Sequence, residues 1–160
     1  MGTEDAEVLD GTSGEDVITA LRGGDGILGH EEVDLLCGDA GGDSIFGGDG
    51  DDLISGGPGR DFLTGELGAD TIWGGERADT IIGDDGEDSL AGNAGADDLS
   101  GGGGNDRLLG GPGNDELEGG SRDDILDAVD GISGNDFVNG GPGIDHCKAD
   151  PGDTVVNCEG

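Results

Sequence analysis

Aspartate recurs every nine residues through most of this chain. Counting from Gly2 in steps of nine, the sixth position reads Glu7, Asp16, Asp25, Asp34, Asp43, Asp52, Asp61, Asp70, Asp79, Asp88, Asp97, Asp106, Asp115 and Asp124. A carboxylate is a hard, anionic oxygen donor, suited to hard divalent cations rather than to zinc or copper. The 160 residues include 39 acidic and 6 basic side chains, a formal net charge of −33. Divalent cations are the expected counter-charge. The same sign argues against nucleic acid and anionic membrane as partners.

The elements that must hold these carboxylates are read two places further on. The eighth position is leucine or isoleucine in all fourteen units, from Leu9 and Ile18 to Leu117 and Leu126. A clean copy of the unit is Gly47-Gly48-Asp49-Gly50-Asp51-Asp52-Leu53-Ile54-Ser55. Glycine comes first and often second and fourth, where it permits positive φ and tight turns and leaves backbone carbonyls uncovered. Three residues around position eight are expected to be extended, with the eighth side chain inward and its neighbours outward. One strand cannot bury a single aliphatic residue alone. Two units should therefore form one coil of eighteen residues, with the coils stacking as parallel strands about 4.8 Å apart into a flattened rod. The expected fold is all-β, a parallel β-roll solenoid of two nonapeptides per coil.

Composition alone reads as disorder: 31% hydrophobic, 2% aromatic, forty glycines. The phase is unbroken from Gly2 to Asp127, which neither an acidic low-complexity tail nor a flexible linker would keep. One aliphatic side chain per nine ordered residues is still a thin core, so the loops must supply further stabilisation. Residues 2–127 are read as fourteen in-phase repeats. Ala128, Val129 and Asp130 then break the frame, which resumes at Gly131 with Asp136 and Val138, and at Gly140 with Asp145 and Cys147. Residues 128–160 thus hold two further repeats and a C-terminal cap from Lys148 onward. No apolar run is long enough for a membrane-spanning helix, and no charged start leads into an apolar leader.

The units resemble the repeats-in-toxin, or hemolysin-type, calcium-binding nonapeptides. The resemblance covers 2–127 and 131–148. It implies a β-roll in which each calcium ion sits between loops of successive coils on one edge, held by the aspartate carboxylate and loop carbonyls. Carried over, Asp16, Asp34, Asp52, Asp70, Asp88, Asp106 and Asp124 line one edge. Asp25, Asp43, Asp61, Asp79, Asp97 and Asp115 line the other, and Asp136 and Asp145 belong to the last units. The carbonyls implied include those of Gly41, Gly48, Gly50, Gly57, Gly59, Gly68, Gly86, Gly95, Gly102, Gly104, Gly111 and Gly113. Asp5, Glu32, Arg77 and Arg122 replace the fourth glycine, where bulk should resist the turn and weaken calcium binding. Glu7 makes the first coil similarly doubtful.

The resemblance also implies a secreted protein whose folding is driven by calcium, acting as a structural or stabilising module; an upstream domain, a second copy and an extracellular glycan or protein are the alternative partners. The ending around Asp150-Pro151-Gly152-Asp153 is similar to caps of secreted repeat proteins. A disulfide between Cys147 and Cys158 would seal the core there; free or metal-bound thiols are the alternative. Cys37, at a ninth position, should point outward, free or paired between chains.

No enzyme is read. His30 and His146 form no metalloprotease motif, and neither Ser13 nor Ser133 has the glycine that a nucleophile elbow needs. Gly24, Gly26 and Gly29 match a dinucleotide fingerprint only as a by-product of the repeat. An alternative function is display. Leu28, Phe46, Phe62 and Ile82 should lie on one face and Leu35, Leu53 and Trp73 on the other. A Phe46–Phe62–Trp73 region would then recognise an extracellular polysaccharide or protein, or mediate self-association.

Overall fold

A computed structural model of the chain describes residues 2–3, 5–132 and 134–159; Ser133 lies outside the described residues. The chain winds as a parallel β-solenoid of about 8 turns. Nine strands form one sheet, from Val8–Asp10 through Gly26–Glu31, Ser44–Asp49, Phe62–Leu67, Thr80–Asp85, Asp98–Gly103, Glu116–Ser121 and Phe137–Asn139 to Thr154–Val156. Eight form the sheet opposite: Val17–Thr19, Leu35–Cys37, Leu53–Pro58, Thr71–Glu76, Ser89–Ala94, Arg107–Leu109, Ile125–Asp127 and His146–Lys148. Every pairing between them is parallel, and consecutive partners in the regular part are one coil, eighteen residues, apart, as in Ile45↔Leu63 and Ile54↔Ile72.

The eighth-position side chains fill the space between the sheets. Ile27, Leu36, Ile45, Ile54, Leu63 and Ile72 are each 0% exposed, and the ladders continue to Leu126 and Val138. Each aliphatic residue lies over its counterpart in the next coil, so a side chain that could not be buried by its own strand is buried by the stack.

The strands are longer than the three residues read from the sequence. Several run for six, as Thr71–Glu76 does against Ser89–Ala94. Pairing covers Thr71, Ile72 and Trp73, lapses at Gly74, and resumes at Gly75↔Asn93 and Glu76↔Ala94. The second position bends the chain through positive φ, and backbone pairing then continues round the edge. Gly48 and Gly75 sit there without strain, while Leu21, Glu66 and Asn93 adopt φ of 91, 76 and 69.

The bulky fourth-position residues do not break their turns. Glu32, Arg77 and Arg122 take φ of 69, 80 and 89, and the loops stay hydrogen-bonded to the next coil, Arg77 N to Ala94 O and Arg122 N to Pro142 O. Left-handed backbone at a non-glycine costs roughly 1–2 kcal/mol, and the stack tolerates it.

At the break, register steps to twenty-one residues, Leu117↔Val138 and Leu126↔Cys147. Ala128 is 0% exposed and donates its amide to Lys148 O, as Gly110 does to Asp127 O one coil earlier. Ala128 thus takes the place of a first glycine, and the extra residues lie in the loop that follows. The last strand, Thr154–Val156, pairs with Phe137–Asn139, and Cys147 and Cys158 are joined in a disulfide against the core. Cys37 is free and half-buried, and burial, aided by Asp39, pushes its thiol up, away from a reactive thiolate.

Leu63 and Leu67 test the stack from one strand, the first buried and the second 49% exposed. Leu63→Ala should cost about 2–5 kcal/mol and Leu67→Ala less than about 0.5 kcal/mol, measured by denaturant unfolding of the folded protein in calcium. Equal costs would contradict the inward ladder.

Candidate metal centre

The aspartate sits two residues before the inward aliphatic, so the same register that stacks the core stacks the carboxylates. In each coil Oδ1 accepts the backbone N–H of the aspartate one coil earlier. Asp16 N donates to Asp34 at 2.7 Å, Asp34 N to Asp52 at 2.8 Å, and Asp52 N to Asp70 at 2.8 Å. The series runs through Asp88, Asp106 and Asp124 to Asp145. On the other edge, Glu7 N donates to Asp25, and the series continues through Asp43, Asp61, Asp79, Asp97 and Asp115 to Asp136. The structure therefore assembles the aspartates read from the sequence into two ladders, one on each edge.

The second oxygen is left over. Oδ2 of every ladder aspartate from Asp25 to Asp145 is buried and has no hydrogen-bond partner. The residues themselves are 0–4% exposed. A buried carboxylate oxygen without a partner is costly. First-position glycines explain how it fits: a Cβ on Gly29, Gly47, Gly65 or Gly83 would overlap Oδ2 of the aspartate five residues on. At Gly29 and Gly47 the same Cβ would also meet the carbonyl oxygen of the first glycine in the next coil. Anionic and carbonyl oxygens thus share a cradle that any side chain would fill.

Among the described residues no three His, Cys, Asp or Glu side chains converge on one point. An ion here would take one or a few carboxylate oxygens and complete its shell from the backbone, which suits calcium with its six to eight oxygen ligands. The carbonyls of Gly41, Gly50, Gly57, Gly68, Gly86, Gly95 and Gly102 occupy the place a Cβ would take on the glycine eighteen residues on. Gly48, Gly59, Gly104 and Gly111 are the receiving glycines, approached by His30, Gly41, Gly86 and Asn93 carbonyls. Gly113 differs, because its carbonyl accepts the side-chain amide of Asn135.

The ends of the ladders depart from the pattern. Oδ2 of Asp16 accepts the Thr12 amide at 2.6 Å and its hydroxyl at 3.0 Å, so this carboxylate is already satisfied. In the first coil the Glu7 carboxylate accepts the Thr3 amide. At the other end, Asp153 stands where the next ladder aspartate would be. Its Oδ1 accepts from Gly134 at 2.7 Å, Asn135 at 3.1 Å and Asp136 at 3.4 Å, and its Oδ2 from Asp150 at 2.7 Å. Asp130 and Asp150 tie down the lengthened loop in the same way. These three were missed in the sequence, because Asp153 is seventeen residues from Asp136 and lies outside the nine-residue frame.

Burial raises the carboxyls well above the usual range, to about 6 at Asp61, Asp88 and Asp124 and about 7 at Asp70, Asp79 and Asp115. The amide from the preceding coil pulls the other way, and charges of neighbouring acidic residues add to the rise. Asp34, Asp43, Asp52, Asp97, Asp106 and Asp136 are raised in the same sense by the same main cause.

Trp73 does not join the aromatic pair with which it was grouped. Phe46 and Phe62 lie on the nine-stranded sheet and Trp73 on the eight-stranded one, across the core.

A family model described as the RTX calcium-binding nonapeptide repeat (4 copies) matches residues 1–36, 38–72, 73–108 and 109–147. No match was found among curated proteins.

The raised carboxyls fix the sign of the pH dependence without metal. The folded chain holds more protons than the unfolded one between about pH 4 and 7, so stability falls as pH rises through that window. In chelator, more strand signal should remain at pH 5.5 than at pH 7.5, and the calcium needed to complete folding should be lower at pH 5.5. Metal-free strand signal that grows with pH would contradict the buried ladders.

Proposed function

This chain belongs to the RTX calcium-binding nonapeptide repeat family, and from that premise we propose that its β-roll is folded and held by calcium bound between successive loops, at the ladder aspartates. The observation that carries the reading is the row of buried, unpartnered Oδ2 atoms. Bound calcium supplies positive charge to oxygens that have no donor. The chain's own residues do the rest. The Oδ1 contacts fix each carboxylate, the glycines leave room for oxygen alone, and the aliphatic ladders exclude water from the interior.

Asp25, Asp34, Asp43, Asp52, Asp61, Asp70, Asp79, Asp88, Asp97, Asp106, Asp115, Asp124, Asp136 and Asp145 are the proposed carboxylate ligands, with loop glycine carbonyls. Asp16 is the weakest of the original set, since Thr12 already satisfies it. The Glu32, Arg77 and Arg122 loops keep the same orphaned oxygen at Asp34, Asp79 and Asp124, so geometry gives no reason to exempt them.

RTX repeat proteins are generally secreted, and their β-rolls are typically non-catalytic modules. The Cys147–Cys158 disulfide fits an oxidising compartment. The proposed role is therefore an extracellular stabilising module of a secreted protein, unfolded by self-repulsion at low calcium and rod-like at the millimolar calcium outside cells.

Circular dichroism tests this. The chelated protein at pH 7.5 should lack strand signal and gain it cooperatively as calcium is added, with magnesium a poor substitute. Full strand signal in chelator, unchanged by calcium, would overturn the reading. Asp70→Asn should raise the calcium midpoint several-fold, while Asp16→Asn should move it little. Equal shifts would remove the distinction drawn from Thr12.

A further inference from the structure

The two broad faces of the roll differ in charge. The strands of the nine-stranded sheet contain no lysine or arginine, and Glu31, Asp49, Glu66, Asp84 and Asp85 stand along one side of it. In the strands of the eight-stranded sheet, Glu76 and Asp127 are matched by Arg107 and Lys148. The acidic residues are exposed, at second and third positions of their units, and are separate from the buried ladder aspartates.

The same face carries a small apolar cluster outside the core. The rings of Phe46 and Phe62 pack with centroids 5.9 Å apart, tilted by 49°. Leu28 is in register with Phe46, and Thr64 lies between Phe46 and Ile82. Thr64 alternates with the inward Leu63, yet it is only 5% exposed, and its hydroxyl donates to Asp84 Oδ2 at 3.1 Å; Phe62 remains 39% exposed. A groove lined by Leu28, Phe46, Asp49 and Glu66 joins the cluster to the acidic side.

We propose that this face docks a cationic, amphipathic polypeptide segment in extended form. Its apolar side chains would rest on the Phe46–Phe62 pair, and its lysine or arginine side chains would reach Glu31, Asp49, Glu66 and Asp84. Charge complementarity selects the occupant. A neutral glycan has no use for a row of carboxylates, and an anionic membrane is repelled by them. Apolar and acidic columns run side by side up the stack, so an extended segment laid across them, along the strand direction, meets both. The inference rests on the fold and goes beyond the calcium reading.

The test uses the full chain in saturating calcium and a fluorescein-labelled peptide of alternating lysine and leucine, followed by anisotropy. Phe46→Ser/Phe62→Ser and Glu66→Gln/Asp84→Asn should each weaken binding about tenfold or more, while Trp73→Ser on the opposite face leaves it unchanged. Glu66 and Asp84 are exposed, so their variant serves even where serine at Phe46 disturbs folding. The proposal is overturned if an alternating lysine–serine peptide binds as tightly, since polyelectrolyte attraction would then suffice. Trp73→Ser weakening binding equally would also overturn it. So would dextran binding that depends on Phe46 and Phe62 in the absence of peptide binding.

Discussion

Every coil of this roll is tied to the one before it by a carboxylate oxygen on a backbone amide. That contact does two things at once. It satisfies an N–H in a tight bend that has no helix or regular sheet to pair it, and it draws the carboxylate inward, out of water. The carboxylate has a second oxygen, and burial leaves that one without a donor. The proposed cation dependence follows from how the bends are closed.

The core and the bends depend on each other. The aliphatic ladders set the eighteen-residue register, and the register places each Oδ1 within 2.7 to 2.9 Å of its amide. The ladders are only one side chain wide per strand, so they cannot hold a chain of charge −33 unaided. Neutralising the bends, by protons or by cations, relieves the term that opposes stacking. The two routes differ in what they leave behind: protonation removes the anionic donors, whereas cation binding uses them.

The C-terminal end is finished differently from the repeats. Asp153 satisfies several amides with its two oxygens, and the disulfide closes the core beside it. The lengthened loop is tied by Asp130 and Asp150 in the same fashion. These half-buried carboxylates are spent on hydrogen bonds within the chain, so this end is closed by the protein's own groups.

The nine-residue phase by itself determined the parallel coil, the inward leucines and isoleucines, and the division of the aspartates between two edges. Such facts follow from spacing along the chain, because side-chain direction in a strand alternates and the period carries it forward. What only the tertiary structure decided depends on contacts between coils. It decided which aspartate oxygen is paired and which is orphaned, and that Asp16 is satisfied by Thr12. It also decided that Arg77 and Arg122 accept left-handed backbone and that Ala128 stands in for a glycine. Each of these turns on what lies one coil away or across the core, and a local pattern does not encode where an irregular loop or a cap brings its atoms.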